Sequence, residues 1–299
     1  MRDFSYYLKR PKETAYYIFM KTAHYLPDSL HLYLLFRIEM GYWPNLTHPK
    51  TFCEKLQWLK LHNRKEEYTM MVDKLAVKEY AAKIMGHDSV IPVIGIWNKI
   101  EDIDFDSLPN QFVLKTSQGG GGNVIICKDK SQLDIVKTKR ELRVLLNQNI
   151  YKTRVEWPYK NVTAKIFAEK YMVDESGCEL KDYKILNFNG VPTYIEVDSG
   201  RFTDHFRNIY DTNWNILPYA IGFRNNPSVE IERPANLEQM LHFARIFSQV
   251  SPFLRTDFYI INNKLYFGEL TFFQRSGLTK FCPSTLDLEF GNMISLTNL

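Results

Sequence analysis

Residues 111–129, QFVLKTSQGGGGNVIICKD, constrain the fold of this chain more than any other stretch. An apolar run closes on Lys115, glycine fills positions 119–122, and a β-branched run, Val124-Ile125-Ile126, resumes at once. That order predicts strand, glycine loop, strand: a hairpin with a mobile, disordered tip. Consecutive glycines weaken a turn entropically and a tight hairpin needs only one or two, so the surplus points to backbone that must move or approach a ligand closely. Side-chain-free amides wrap anions and Lys115 supplies a compact positive charge, which makes phosphate one occupant. A plain surface turn beside a solvated lysine is the competing reading. The P-loop of nucleotide hydrolases is excluded, because Gly-Lys-Ser/Thr and a following helix are both missing.

The rest of the chain is long enough to build a large core around such a hairpin. Its 299 residues, 45% hydrophobic and 14% aromatic, predict two or three subdomains rather than disorder. The net charge of +4 is mild and the basic residues are dispersed, so nucleic acid is not an expected partner. Cys53, Cys127, Cys178 and Cys282 lie far apart with no Cys-x-x-Cys, which argues against a zinc site or disulfide framework and for reduced thiols in a cytoplasmic protein. No secretory leader or membrane-spanning run is expected.

Residues 12–25 and 29–40 read as helices broken at Pro27, with Asp28 or Ser29 as cap of the second. Their mix of aromatic and basic residues suits either core packing or a membrane surface, the latter fitting a membrane-linked glycan substrate. Thr51 and Glu54 have capping-box spacing at the start of an amphipathic helix, and 73–85 reads as another. Residues 90–97 read as a strand. Asp102, Asp104 and Asp106 then form a link containing Asp-x-Asp, which reads as a solvated capping segment or, less simply, as a metal motif of sugar-nucleotide transferases. A charged helix over 131–149 is placed across the glycine hairpin, followed by a strand over 165–171. Strands 182–188 and 191–197 pair across Asn189-Gly190, and a helix covers 237–250.

The last hairpin, 255–271, alternates so that Arg255 and Asp257 share one face, as do Glu269 and Thr271. A three-residue loop of Asn262, Asn263 and Lys264 sets Asp257 opposite Glu269. Facing carboxylates are destabilising unless a cation neutralises them, and magnesium, with Thr271 adding an oxygen, would do so. A two-residue Asn-Asn turn instead slips the register by one, puts Glu269 on the far face and removes the site.

These pieces together resemble the ATP-grasp fold, an α+β architecture of two antiparallel subdomains that clamp ATP. Pro44-Asn45-Leu46, Pro49-Lys50-Thr51-Phe52, Glu54-Lys55-Leu56-Gln57-Trp58-Leu59-Lys60, Phe112-Val113-Leu114-Lys115, Asp182-Tyr183-Lys184 and Tyr266-Phe267-Gly268-Glu269-Leu270-Thr271-Phe272 look like the TupA-like, teichuronopeptide-biosynthesis branch, over about 27–281. The resemblance implies a helical region over 1–50, a pre-ATP-grasp α/β subdomain over 51–110, a lid subdomain over 111–172 and a metal-bearing subdomain over 173–299. It implies that Lys115 touches the α- or β-phosphate and that Gly119, Gly120, Gly121 and Gly122 close over the triphosphate. It further implies that Glu169, Lys170, Tyr171 and Met172 form the adenine hinge, that Glu175 or Asp174 takes the ribose, and that Lys184 reaches the γ-phosphate. Asp257 and Glu269 match magnesium ligands, with Thr271 standing where many relatives carry Asn. Ser117-Gln118 stands where relatives vary among Gly, Ser and His.

The activity so implied is ATP-dependent carboxylate–amine ligation through an acyl phosphate, with ATP and Mg2+ as cofactors. By analogy the carboxylate belongs to a uronic acid or similar group in cell-surface polysaccharide biosynthesis. Lys184, Arg255 and Arg275 are the catalytic candidates, and Arg201, Arg207 and Arg275 the candidates for carboxylate recognition, since guanidinium forks match such groups. The histidines form no Ser/His/Asp or Cys/His pattern. Three rival readings remain: a glycan kinase with the same ATP site, a nucleotide-binding assembly protein without turnover, and a glycosyltransferase resting on Asp-x-Asp.

Overall fold

The computed structural model describes residues 11–120, 124–174, 177, 180–200 and 204–297. Helices α1 (Pro11–Thr22) and α2 (Asp28–Met40) break where the proline predicts. Neither Asp28 nor Ser29 caps α2: Pro27 holds the cap position without a side-chain bond, and the Asp28 carboxylate turns instead to Arg64 at 2.6 Å and to the Tyr151 hydroxyl at 3.0 Å. Helix α3 (Phe52–His62) starts in the expected capping box. Thr51 Oγ1 accepts from Glu54 N, while the Glu54 carboxylate accepts from the amides of Thr51, Lys50 and Asn45. Helices α4 (Glu67–Val72) and α5 (Ala76–Met85) follow.

The first sheet is antiparallel with strand order β1-β4-β2-β3: β1 (Val93–Trp97), β2 (Phe112–Thr116), β3 (Val124–Cys127) and β4 (Ile166–Lys170). Strand β1 begins three residues later than the sequence predicts, and Val90 instead makes a lone parallel bridge to Phe267 of the second sheet. One face of the first sheet, with Phe112, Leu114, Ile166 and Ala168, packs on Leu142 of α6 (Ile135–Leu146) and on the 100–108 segment. Helix α6 is shorter than the charge pattern predicts, because the Asp134 carboxylate accepts from Lys137 N and starts it there. A short helix, α7 (Ile150–Arg154), leads back to β4.

The second sheet has the order β11-β10-β5-β6-β7-β8, where β5 is Asp182–Phe188, β6 Val191–Ser199, β7 Phe206–Asp211, β8 Ile216–Leu217, β10 Phe253–Ile261 and β11 Lys264–Thr271. Strands β9 (Ala220–Ile221) and β12 (Phe281–Cys282) form a separate pair. The β5–β6 turn is the expected Asn189-Gly190, both at positive φ. The apolar core of the second sheet is continuous with α3, α4, α5, α8 (Leu237–Phe247) and α9 (Leu286–Met293).

The β10–β11 hairpin corrects the loop length read from the sequence. Its turn is the two-residue Asn262-Asn263, with φ of 50° and 56°, and Ile261 pairs with Lys264. Phe258 still faces Phe267, but the next pair is Asp257 with Glu269. Gly268 is the extra residue of a β-bulge, and the bulge cancels the slip that the short turn introduces. A Cβ on Gly268 would lie 2.8 Å from the Asp257 carbonyl oxygen, so this close approach needs glycine.

Candidate active site

The second face of the four-stranded sheet is where the first set of candidates gathers. Pairing of Val113 with Glu169 and of Lys115 with Phe167 puts all four on that face, together with Val124 and Ile126. Val124 and Ile126 each remain 39% exposed and Ile96 51%, while Phe167 is buried, so among the described residues this is a partly open apolar floor. Glu169 is buried in it, with one carboxylate oxygen on Lys115 at 2.5 Å and the other on Lys78 of α5. Burial raises the Glu169 carboxyl, but Lys115 and Lys78 outweigh that and hold it below the usual carboxylate range. Two lysines against one carboxylate leave excess positive charge beside an open apolar surface, the combination that a nucleoside phosphate fills.

Glu169 thus ties the two lysines together from the next-to-last position of β4, a strand that pairs on both sides and leads directly into Lys170, Tyr171 and Met172. Lys170 is exposed. With Tyr171, Ile94, Pro109, Asn110 and Gln111 it lines an open depression of about 470 Å³. Met172 follows beyond β4, and Asp174 is buried with its carboxylate on Lys181. Ser117 and Gln118 have structural work: Ser117 bridges to Lys165, and Gln118 Nε2 donates to the last carbonyls of α6, Leu145 and Leu146. Gly119 and Gly120 continue from them, Gly120 lying against Ile150. Gly121, Gly122, Glu175 and Arg201 lie outside the described residues.

The second set lies on one face of the six-stranded sheet. Pairing sets Lys184 opposite both Asp257 and Glu196, Asp182 opposite Asp198, and Asp198 opposite Arg207. Lys184 is buried with its ammonium 2.5 Å from Asp182, 2.9 Å from Asp198 and 4.0 Å from Asp257. Arg255 grips Asp257 with two bonds of 2.6 and 2.7 Å and reaches Glu269 at 2.7 Å, while Thr271 Oγ1 donates to Glu269 at 3.3 Å. Arg207 is spent on Asp198, at 2.8 and 2.9 Å, and on Glu196, at 3.0 Å. The exposed Arg275 has its guanidinium 4.9 Å from the Phe223 ring centroid, and Arg207 lies 4.8 Å from the same centroid.

Two facing carboxylates in a buried setting split in acidity. Burial, reinforced by the Glu269 charge, lifts Asp257, whereas Lys74 and Arg255 overcome burial and hold Glu269 well below the usual range. Asp182, Glu196, Asp198, Asp257 and Glu269 interleave with Lys74, Lys184, Arg207, Arg255 and Arg275, so the acids of this face are each met by a cation. Asp257 and Glu269, side by side, fit a magnesium ion that keeps water or phosphate oxygens as its other ligands. No group of three or more His, Cys, Asp or Glu side chains arranged for a metal occurs among the described residues, so protein carboxylates alone would not complete a shell.

Lys74 links the sets. Its amide donates to the Ser117 carbonyl at the root of the glycine loop, at 2.9 Å, and its ammonium holds Glu269 at 2.8 Å. Lys74 and Lys78 were not singled out in the sequence. Lys78 lies on α5 beside buried Val77 and Ala81, which is the available signal for it, whereas Lys74 sits in the turn before that helix. Asp182, expected only as part of the Asp182-Tyr183-Lys184 motif, and Asp198 both turn their carboxylates to Lys184. Arg275 is presented by a loop in which Arg275, Ser276 and Gly277 all have positive φ. Buried Gln57 and Lys60 hold that loop by its Ser276 carbonyl, at 3.0 and 2.9 Å. The Asp-x-Asp segment resolves as a turn: Asp104 Oδ1 accepts from the amides of Asp106 and Ser107.

The acids predict how stability depends on pH. Glu169, Asp198 and Glu269 all titrate below their ordinary values in the folded chain, so each contributes stability above the unfolded value and loses it as pH falls through the folded one. Asp257 is shifted the other way and opposes them in part. The urea midpoint should therefore fall steadily below pH 4.5, the ordinary glutamate value. Glu169→Gln should flatten that slope.

Two antiparallel sheets with helices on their outer faces, and lysines and carboxylates brought together by Lys74, define the ATP-grasp class of architecture. A family model described as TupA-like ATPgrasp matches residues 54–295, and the chain belongs to that family. Solved structures similar to it include D-alanine–D-alanine ligase from Bacillus anthracis complexed with ATP, 17% identical over 68% of this chain and 53% of the ligase, with a TM-score of 0.38. They also include the Helicobacter pylori D-alanine–D-alanine ligase, 16% identical over 81% and 68% of the two chains, TM-score 0.40. A third is D-cycloserine synthetase DcsG, 13% identical over 75% and 69%, TM-score 0.41. The chain spans little more than half the length of the Bacillus anthracis ligase. No curated protein matches its sequence.

Proposed function

We propose that this protein is an ATP-dependent carboxylate–amine ligase. The observation that supports the reading is Lys74, which joins the root of the glycine loop to Glu269 and so ties the lysine-bearing sheet face to the acidic hairpin. On this reading Lys115 and Lys78 exchange Glu169 for phosphate oxygens, and the apolar face with Val113, Ile126 and Phe167 covers the base. Asp257 and Glu269 would hold magnesium, which supplies charge neutralisation at the phosphates. Glu169, Lys170, Tyr171 and Met172 remain assigned to the adenine end, with Glu175 at the ribose, and the 119–122 glycines at the triphosphate.

A substrate carboxylate oxygen attacks the γ-phosphorus, the bond to the β-phosphate oxygen breaks, and ADP leaves. An amine nitrogen then attacks the acyl carbon, phosphate departs with the carboxylate oxygen, and the nitrogen gives up a proton. Lys184 and Arg255 stabilise the charge in transfer, and Arg275, with Arg201, binds the substrate carboxylate. Arg207 is fully engaged by Asp198 and Glu196 and acts by holding Asp198 for Lys184. The carboxylate is a uronic acid or related glycan acid and the setting is cytoplasmic polysaccharide biosynthesis, with the chain divided at about 50, 110 and 172.

Phosphate release that requires both a uronic acid and an amino acid, with an amide product identified by mass, is the expected result. A stable phosphorylated sugar would instead make the protein a glycan kinase. Within the site, Lys115→Met should raise KM for ATP by about tenfold with little change in kcat, whereas Lys184→Met should lower kcat by about a hundredfold. Steady-state kinetics on variants of unchanged thermal midpoint separate the two.

A further inference from the structure

We propose that the outward face of α2, with the turn that follows it, docks on an anionic lipid membrane. The inner face of α2 is already spent: His31, Leu32, Leu35 and Phe36 are buried against the rest of the protein. A helix in that position carries polar residues outward. Here the outward stripe is Leu30, Tyr33, Arg37 and Ile38. It is extended by Trp43, which stacks on Tyr33 at 5.4 Å and takes the Arg37 guanidinium at 5.7 Å. Leu30, Ile38 and Trp43 are 45%, 47% and 55% exposed. On α1, Tyr17 and Lys21 repeat the pairing of exposed aromatic and cation at 5.8 Å.

The charge of this surface selects the occupant. Both acids of α2 are turned away from it, Asp28 to Arg64 and Tyr151, and Glu39 to Arg154 and Tyr16. Arg37 and Lys21 are therefore the charges beside the exposed rings, the acid of α1, Glu13, lying at the other end of that helix from Lys21. A second copy of the chain would bring like charges face to face, whereas an anionic headgroup layer meets cations with headgroups and lets tyrosine and tryptophan rings lie at the boundary they favour. No described helix is long and apolar enough to cross a membrane, so the surface lies on the bilayer rather than in it. This inference is independent of the ligase reading, because none of these side chains belongs to the candidate site.

Full-length protein is sedimented with vesicles of phosphatidylcholine alone or mixed with phosphatidylglycerol. The protein should pellet with the mixed vesicles only, and less so at high salt. Tyr33→Ser combined with Trp43→Ser should lower partitioning by about tenfold or more, and Lys21→Gln by about fivefold. Leu30→Gln is the second apolar variant should the double substitution unfold. Unchanged thermal midpoint and ATP binding show that the variants are intact. Wild-type protein left in solution with the mixed vesicles would overturn the proposal, as would variants that pellet like wild type. So would a concentration-dependent dimer abolished by the same substitutions, which would give this face to a second copy.

Discussion

Glu269→Gln should lower ATP turnover by about a hundredfold or more and raise the magnesium requirement, because on the proposed reading it removes one of the two carboxylates assigned to the metal. Glu269 is also the point where Lys74, Arg255 and Thr271 meet. An amide there keeps the volume but gives up the charge that Lys74 and Arg255 hold well below the normal carboxylate range. Breaking such a pair costs about 3 kcal/mol where it is fully buried and less here, since Glu269 is half-buried. Part of that loss is offset, because Asp257 no longer faces a second negative charge across the strands. The variant should therefore remain folded and fail in turnover. Phosphate release measured across a magnesium titration checks this, and a kcat within about threefold of wild type at saturating magnesium would remove Glu269 from the site.

Gly268→Ala should destabilise the protein by about 2–4 kcal/mol and abolish ATP binding together. The added methyl would meet the Asp257 carbonyl oxygen at 2.8 Å and its carbon at 3.1 Å, both backbone atoms that cannot swing aside. Relief requires opening the β10–β11 pair or losing the bulge. Without the bulge the two-residue turn would carry Glu269 to the opposite face and Leu270, which is buried, to the charged one. Urea unfolding and nucleotide titration of the same preparation test the linkage. Wild-type stability with intact ATP affinity would show that the bulge does not set the register.

The features legible in the sequence are those specified by near neighbours. Thr51 and Glu54 announce the start of α3, and Asn189-Gly190 announces the turn between β5 and β6. The alternation around Arg255 and Asp257 announces a shared face. What escaped is set by distant contacts. The opposition of Asp257 and Glu269 is as the three-residue count has it, but it is reached through a short turn and a compensating bulge that the sequence does not announce. The bulge depends on how close Gly268 comes to Asp257 across the hairpin. The role of Lys74 depends on Ser117, at the exit of a later strand, and on Glu269, 195 residues away. Likewise, the aromatic and basic residues of 11–43 divide between core and surface only once the packing of α2 on its neighbours is known.

A structure with a non-hydrolysable ATP analogue and magnesium tests most directly whether one cleft unites the lysine-lined sheet and the acidic hairpin. The account predicts Lys78 and Lys115 on phosphate oxygens, the base against Val113 and Ile126, and one magnesium ion shared by Asp257 and Glu269. A nucleotide seated away from both sheets, or phosphates that leave Asp257 and Glu269 on Arg255 with no metal between them, would contradict it.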